Sequence, residues 1–482
     1  MTTEPGFIVV GGGAAGISAA QTIAAAGRAV TLIESGRLGG ECTWNGCVPS
    51  KALIEAARIA HDTRRAGRFG LRGAEAVEDF AAVTARVHRV VESIASFEDA
   101  AHLEKQGITV RTGHARLVDP QTVSLDGTDF PAKGIIVCTG GTPAIPPVAG
   151  LREAMPHTNE TIFSITRRPN RLLILGAGPI GLEMAQAFHR LGSEVHVVDV
   201  VERLLPTEDP EIATEAHRIL LEDGLHIHLN THVRQVSRDG DIITLHLPET
   251  EGPALTGDAL LVATGRQPRT HDMGLEELGI TVTKKGIEID EHMRTAVSSV
   301  YAAGDVTGIM PFTHAAAYQG RVAATNAMGK SRKADYRVVP WAVFIDPPIA
   351  HVGLTEPQAR KQHGDDIRIA TLPMTAVDRA VIDDAGRGLI KVIVRGKPLI
   401  GHAAGGEIIG AHAIGAGAGD FIHEFAIAMQ TRSFAGRLAQ TIHAYPTLAM
   451  GVQQAIAQLF AAGRATAGEM RRELREIGPE TA

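Results

Sequence analysis

The sequence predicts an α/β protein built on two glycine-turn βαβ units, followed by an α+β domain. Three observations carry this. Strand-like apolar runs alternate with helical stretches along most of the 482 residues, the pattern of parallel sheets flanked by helices. A glycine-rich turn follows the first strand of each half, at Gly11–Gly16 and Gly176–Gly181. From about Val339 the composition changes, and short strands (Gly388–Val394, Glu407–Ile414) join helices (Asp420–Gln430, Leu448–Ala461).

Taken in order, the first unit reads as strand Phe7–Val10, the glycine turn, a helix to about Gly27 and strand Ala29–Glu34. Helical patterns follow over Pro49–Arg65 and Asp79–Gln106, and strand Gly134–Cys138 runs into Thr139-Gly140-Gly141. The segment Thr142–Gly150 holds three prolines and reads as a linker. The second unit spans Arg171 to Asp199 and closes with strand Ala259–Ala263 and Thr264-Gly265. The halves thus repeat one architecture. After Met273 the chain reads as a return to the first domain, ending in Val300–Asp305. The expected partition is 1–145 with 273–338, then 146–272, then 339–465, with a polar tail over 466–482.

Composition narrows the function classes. Apolar residues make up 44% and charged residues 21%, as in globular chains with substantial cores. The net charge is −7 and no Lys/Arg stripe is present, so nucleic acid is not an expected partner. No apolar run approaches roughly 18 residues. The first residues lead into a strand without a basic n-region. The expectation is a cytoplasmic protein with no membrane partner. The three cysteines are Cys42, Cys47 and Cys138, too few for a secreted disulfide framework. Cys138 lies in an apolar strand and reads as a core thiol.

The run Gly11-Gly12-Gly13-Ala14-Ala15-Gly16 fits a dinucleotide turn between strand and helix. Gly11 makes the turn, Gly13 admits a pyrophosphate to the helix N-terminus, and Gly16 permits close helix–strand packing. Glu34 ends the next strand, where a carboxylate accepts hydrogen bonds from ribose. Gly176, Gly178 and Gly181 repeat the pattern, with Asp199 as the acid and Gly265 closing the unit. Two such turns predict two dinucleotides, a flavin and a nicotinamide. Asp199 favours a free 2′-hydroxyl, and Val200 and Val201 offer no cation for a 2′-phosphate. NADH is therefore expected over NADPH, unless Arg203, the nearest cation, bends back so that both are tolerated.

The stretch Gly39–Lys51 holds Cys42 and Cys47 five positions apart. In a straight helix that is about 7.5 Å of rise, more than the roughly 4.4–6.8 Å a disulfide accepts between Cα atoms. The pair can close only where the helix is distorted, which Gly46 and Pro49 allow at a helix start. There the positive helix end favours a thiolate. Lys51 shares the face of Cys47, and Glu183, opening the second unit's helix, is a natural partner for it. Zinc would need further cysteines nearby, so no metal ligand is expected.

The stretch GGECTWNGCVPSK resembles the active site of the class I pyridine nucleotide–disulfide oxidoreductases, among them dihydrolipoamide dehydrogenase, glutathione reductase and mercuric reductase. GGGAAG, GAGPIGLE, LLVATGRQP, TAVSSVYAAGDV and FIDPPIAHVGLTE extend the resemblance over nearly the whole chain. It implies a glutathione-reductase-like fold with two Rossmann-like domains, binding FAD and NAD, and a C-terminal dimerisation domain. Cys47 would be the flavin-proximal thiol and Cys42 the interchange thiol. Lys51 and Glu183 would pair near the flavin, and Asp305, after Gly304, would bind its ribityl chain. Gly40, Ala115, Thr139 and Gly140 would line the FAD site. A homodimer is implied, in which the C-terminal domain of one subunit completes the other's active site.

The sequence departs from that pattern at one place. Disulfide reductases of the family carry a histidine before Pro-Thr and a glutamate five residues after it. Tyr445 and Met450 stand at those positions, and His443 matches the first, non-catalytic histidine of the dihydrolipoamide dehydrogenase pattern. A tyrosine with pKa about 10 is a poor base at neutral pH. Either His443 serves or the chemistry needs no such base. Mercuric reductase also lacks the histidine, and ERLLPTEDPE and Val377–Ala380 resemble it. That enzyme hands Hg(II) inward through a C-terminal cysteine pair absent here, and Thr447 stands at its metal-contacting tyrosine. The expected enzyme passes electrons from NADH through FAD to the Cys42–Cys47 disulfide and on to an acceptor. A lipoyl-type disulfide, a soft metal ion such as Hg(II), or a quinone reduced directly by the flavin are the alternatives.

Overall fold

The computed structural model describes residues 5–72, 79–396 and 401–460. The expected tail over 466–482 lies outside them. By internal contacts the chain forms two compact units. One comprises the described residues up to Asp199 together with Thr231–Asp335. The other comprises Val200–Asn230 together with the described residues from Tyr336.

The first unit holds both glycine-turn motifs. β1 (Phe7–Val10), α1 (Ala14–Ala25) and β2 (Val30–Glu34) form its leading βαβ element. α2 (Gly40–Trp44) and α3 (Cys47–Arg65) follow. With β3 (Ile108–Thr112), β4 (Gly134–Val137) and β8 (Val300–Ala302), the strands make a five-stranded parallel sheet in the order β8-β4-β1-β2-β3. β1 and β4 are buried at every position, which is why they read as continuous apolar runs. The second motif is built from β5 (Arg171–Leu175), α4 (Pro179–Arg190) and β6 (Glu194–Val198), with β7 (Ala259–Val262) parallel to β5. α6 (Thr313–Ala327) packs on α1. There, a Cβ on Gly320 would stand 2.1 Å from the Ala15 carbonyl oxygen.

Two sequence expectations change here. The single helix expected over Asp79–Gln106 is two, Phe80–Ala95 and Ala100–Lys105. Asp99 accepts a hydrogen bond from the His102 N–H at 2.7 Å and so caps a new helix. The expected linker begins as a strand, Gly141–Pro143, paired antiparallel with Arg266–Pro268.

The second unit is an α+β layer. Its antiparallel sheet runs β9-β10-β13-β12-β11, from β9 (Trp341–Val343), β10 (Ile349–Gly353), β11 (Ile367–Pro373), β12 (Leu389–Arg395) and β13 (Glu407–Ile414). α8 (Ala418–Gln430) and α9 (Met450–Ala457) cover one face around Ile390, Val392, Phe425 and Ile456. α5 (Pro210–Glu222) also belongs to this unit. Its N-cap Asp209 is fully buried with Lys391 of β12, their charged atoms 2.9 Å apart. Lys391 also meets Glu356 at 2.7 Å, at the start of α7 (Glu356–His363). Among the described residues no helix is long and apolar enough to cross a membrane.

Candidate redox and dinucleotide site

The glycines of the first turn divide by what surrounds them. Gly11 has φ +106°, and a Cβ there would lie 2.2 Å from the Cys138 carbonyl oxygen. A Cβ on Gly16 would lie 1.8 Å from the Gly11 oxygen. Both are dictated by backbone packing. Gly13 caps α1, and its Cβ would meet only Gly40 Cα, at 3.8 Å. The second turn repeats this: Gly176 and Gly181 are crowded at 2.4 and 2.0 Å, while nothing lies within 4 Å of a Cβ on Gly178. Each helix N-terminus thus keeps open space in front of its amide donors, a cradle that a side chain would fill. That is the fit a pyrophosphate requires.

The strand-end acids brace these turns. Glu34 accepts from the Gly12 N–H at 2.6 Å and the Gly36 N–H at 2.7 Å. Asp199 accepts from the Ala177 N–H at 2.6 Å. A carboxylate offers about four acceptor sites, so Glu34 retains capacity for ribose hydroxyls. Ala14 and Ala15 open α1, Ala15 buried beneath Gly304. The Thr139 hydroxyl donates to the Arg269 carbonyl at 2.6 Å, and the Arg269 N–H returns a bond to Gly140. Gly140 and Gly265 have positive φ and no neighbour within 4 Å of a Cβ. Ala115 starts a separate antiparallel strand and packs on the core beside it.

Cys47 is the first residue of α3, two residues earlier than the helical pattern suggests, and Cys42 lies in α2. Both are free thiols, Cys47 exposed and Cys42 half-buried. The hydrogen bond from the Cys42 thiol does most to hold Cys47 down at about 6, against burial and with help from Lys51 and Thr313. The same bond, with burial, pushes the Cys42 thiol far up. Ionisation of the pair is therefore biased toward Cys47 rather than Cys42. Lys51, one turn on, reaches Glu183 with Nζ–Oε2 2.8 Å, and the Glu183 side chain is 5% exposed. The Thr313 hydroxyl, at the start of α6, stands 3.6 Å from Cys47 Sγ. Cys138 is buried, and desolvation pushes its thiol up to about 12.

Sequence reasoning passed over Arg266, Glu41, Asn159 and Thr313. Arg266 pairs bidentately with Glu41, through Nη1 and Nη2. Its Nε donates to Asp305 at 3.2 Å, and Nη2 also donates to the Gly141 carbonyl at 3.0 Å. Burial opposes the charge on Arg266, but Glu41 and Asp305 outweigh it and raise its pKa. Burial raises the Asp305 carboxyl despite Arg266. Glu41 stands beside Cys42 in the motif and could have been noticed there. Arg266 had no local signal.

His443 and Tyr445 belong to the second unit. His443 is 7% exposed at its side chain; Nε2 meets Glu424 at 2.9 Å and Nδ1 the Thr441 carbonyl at 2.9 Å. Burial opposes its protonation, yet Glu424 and Thr441 leave its pKa raised. Tyr445 is 68% exposed, and its phenol donates to Asp378 at 3.0 Å, which raises its pKa.

Comparison with known proteins accords with this geometry. A family model described as pyridine nucleotide-disulphide oxidoreductase matches residues 6–320, and one described as the dimerisation domain of the same family matches 339–456. Mercuric reductase of Bacillus cereus is 34% identical over 93% of this chain and 70% of its own. Dihydrolipoyl dehydrogenase of Thermus scotoductus is 34% identical over 93% and 96%. The Cu(II) complex of the HOCl-induced flavoprotein disulfide reductase RclA from Escherichia coli superposes with TM-score 0.83 at 28% identity, covering 95% of this chain and all of that one.

Proposed function

The chain belongs to the pyridine nucleotide-disulphide oxidoreductase family of FAD-dependent enzymes, and on that premise we propose that it uses NADH to keep the Cys42–Cys47 pair reduced and delivers its electrons to a soft metal ion. FAD, when bound, relays the electron pair of a nicotinamide hydride to the disulfide. The residues suited to hold it are the Gly11–Gly16 turn, Glu34, Gly40, Thr139, Gly140 and Asp305, with Ala115 on the same unit. The Gly176–Gly181 turn, Asp199 and Gly265 suit the nicotinamide dinucleotide. NADH is favoured because Asp199 carries the negative charge there. The nearest cation in sequence, Arg203, already donates to the Pro206 and Glu208 carbonyls.

The observation that carries the acceptor is the protonation pattern. The groups that hold the Cys47 thiol down at about 6 are Cys42, Lys51 and Thr313, none of them a histidine. Reducing a disulfide requires a group that protonates the leaving thiolate and deprotonates the attacking thiol. His443 has both ring nitrogens engaged, and Tyr445, with its pKa raised, is still less of a base. A soft metal ion binds thiolates and releases their protons to water, so that base is dispensable. The balance is two thiols and Hg(II) giving the disulfide, Hg(0) and two protons; two Cu(II) would each take one electron instead. The names of two relatives, a mercuric reductase and a reductase solved with Cu(II), support the same class. Cys42, the interchange thiol by the family pattern, is the one assigned to meet the acceptor, and pairing of two chains through residues 339–456 is the expected assembly.

The test is anaerobic NADH oxidation by the holoenzyme with Hg(II), Cu(II), lipoamide and a quinone, comparing wild type with Cys42→Ser. Metal-dependent turnover that Cys42→Ser abolishes is expected. Turnover of lipoamide but not metal would replace the acceptor with a disulfide. A quinone-only enzyme as fast in Cys42→Ser would remove the dithiol from the mechanism.

A further inference from the structure

α2 is a helix of five residues, far too short to hold its own shape, because a single turn fixes many dihedrals for one or two hydrogen bonds. It nevertheless carries Cys42, whose thiol must point at Cys47. What holds it lies elsewhere in the chain. The Glu41 carboxylate takes both terminal nitrogens of Arg266 and, at 2.5 Å, the Asn159 amide. The same Asn159 nitrogen donates at 3.1 Å to the carbonyl of Asn45, the residue that ends α2. Asn159 is 8% exposed. Both ends of α2 are therefore gripped, one of them through the residue next to Cys42. Arg266 is anchored in turn by Asp305 and the Gly141 carbonyl.

We propose that Glu41, Arg266 and Asn159 are positioning residues that clamp α2 and hold the Cys42 sulfur in closing distance of Cys47. This rests on the dithiol reading above. A clamped pair closes its disulfide as a nearly pre-formed intramolecular step; a loose one first loses that effective concentration. Loosening therefore shifts the equilibrium, disulfide plus two glutathione against dithiol plus glutathione disulfide, toward the dithiol. The electron pair and two protons pass to the protein sulfurs from glutathione.

The sign separates positioning from bare charge. Loss of the Arg266 charge alone would disfavour the Cys47 thiolate and so favour the disulfide. Loss of the clamp favours the dithiol. Asn159 carries no charge, so its removal reports positioning alone. The experiment equilibrates the holoenzyme with glutathione buffers of graded ratio, traps the thiols with an alkylating agent, and counts Cys42 and Cys47 by peptide mass spectrometry. Arg266→Gln and Asn159→Ala are each compared with wild type. Both are expected to favour the dithiol about tenfold, about 30 mV toward a more oxidising couple. A downward shift in Arg266→Gln, or no shift in Asn159→Ala with its fold retained, overturns the clamp. If Arg266→Gln does not fold, Asn159→Ala decides alone. If the wild-type pair never traps as a disulfide at any ratio, the dithiol reading has failed, and the clamp fails with it.

Discussion

Replacing Lys391 by Met should destabilise the second unit, and by an amount the structure sets. The Lys391 side chain is 2% exposed, and its ammonium serves Asp209 at 2.9 Å, Glu356 at 2.7 Å and Glu211 at 3.4 Å. Methionine keeps most of the apolar stem, so the loss is chiefly of charge. Asp209 is fully buried and would keep only the backbone N–H groups of Glu211 at 3.1 Å and Glu356 at 2.9 Å. Removing one partner of such a pair costs about 3–5 kcal/mol. At about 2–4 °C per kcal/mol for a unit of this size, the melting point should fall roughly 6–20 °C. Trp341 is the natural reporter, because its indole donates to Glu208 at 2.6 Å, next to Asp209. Trp44→Phe removes the only other tryptophan.

The pH dependence follows from the same group. Burial pushes the Asp209 carboxyl up, but Lys391 and the Glu356 N–H outweigh it and hold its pKa below the ordinary value. A depressed carboxylate contributes stability above its unfolded pKa, near 3.9, and loses it as pH falls through the folded value. Asp209 is common to both unfolded chains, and without Lys391 burial raises its folded value, so the gap between wild type and Lys391→Met should be full above the variant's raised value and should narrow as pH falls from there through the depressed wild-type one. Adding Asp209→Asn should recover part of the loss, since the uncompensated charge goes with it. A variant within about 1 kcal/mol of wild type at pH 7 would refute the reasoning, as would a gap that does not narrow in acid.

Three further outcomes test the dinucleotide sites. Gly13→Ala should fold, because its Cβ meets only Gly40 Cα at 3.8 Å, yet release flavin about tenfold more readily on ultrafiltration, since the methyl takes up the cradle. Gly16→Ala, with its Cβ 1.8 Å from a carbonyl oxygen, should not give folded protein. Asp199→Ala should lower the NADH-to-NADPH ratio of kcat/KM about tenfold or more, from the loss of a charged hydrogen-bond acceptor; an unchanged ratio would remove Asp199 from cofactor choice.

The sequence alone determined the features whose cause is local. A glycine turn between an apolar strand and a helix announces itself, because backbone crowding at Gly11 and Gly16 admits nothing larger. The strand-end acids follow at a set spacing, and the cysteines lie within one short segment. The parallel strands were legible as apolar runs because both faces are buried. Where a local signal competed, the reading faltered, as at Asp99, whose cap starts a new helix inside an expected long one.

Tertiary structure decided what depends on charges brought together from afar. Glu41 and Arg266 are 225 positions apart, and Asp209 and Lys391 182 apart. Nothing in the periodicity around any of the four shows its partner. The strand Gly141–Pro143 exists because Arg266–Pro268 lies beside it. Nothing around His443 in the sequence shows that Glu424 and the Thr441 carbonyl meet its two nitrogens. The reason is common to all four. Hydrophobic patterning encodes which face is buried, but a buried charge or an edge strand is tolerable only where a specific partner desolvates with it, and that partner is chosen by the folded chain.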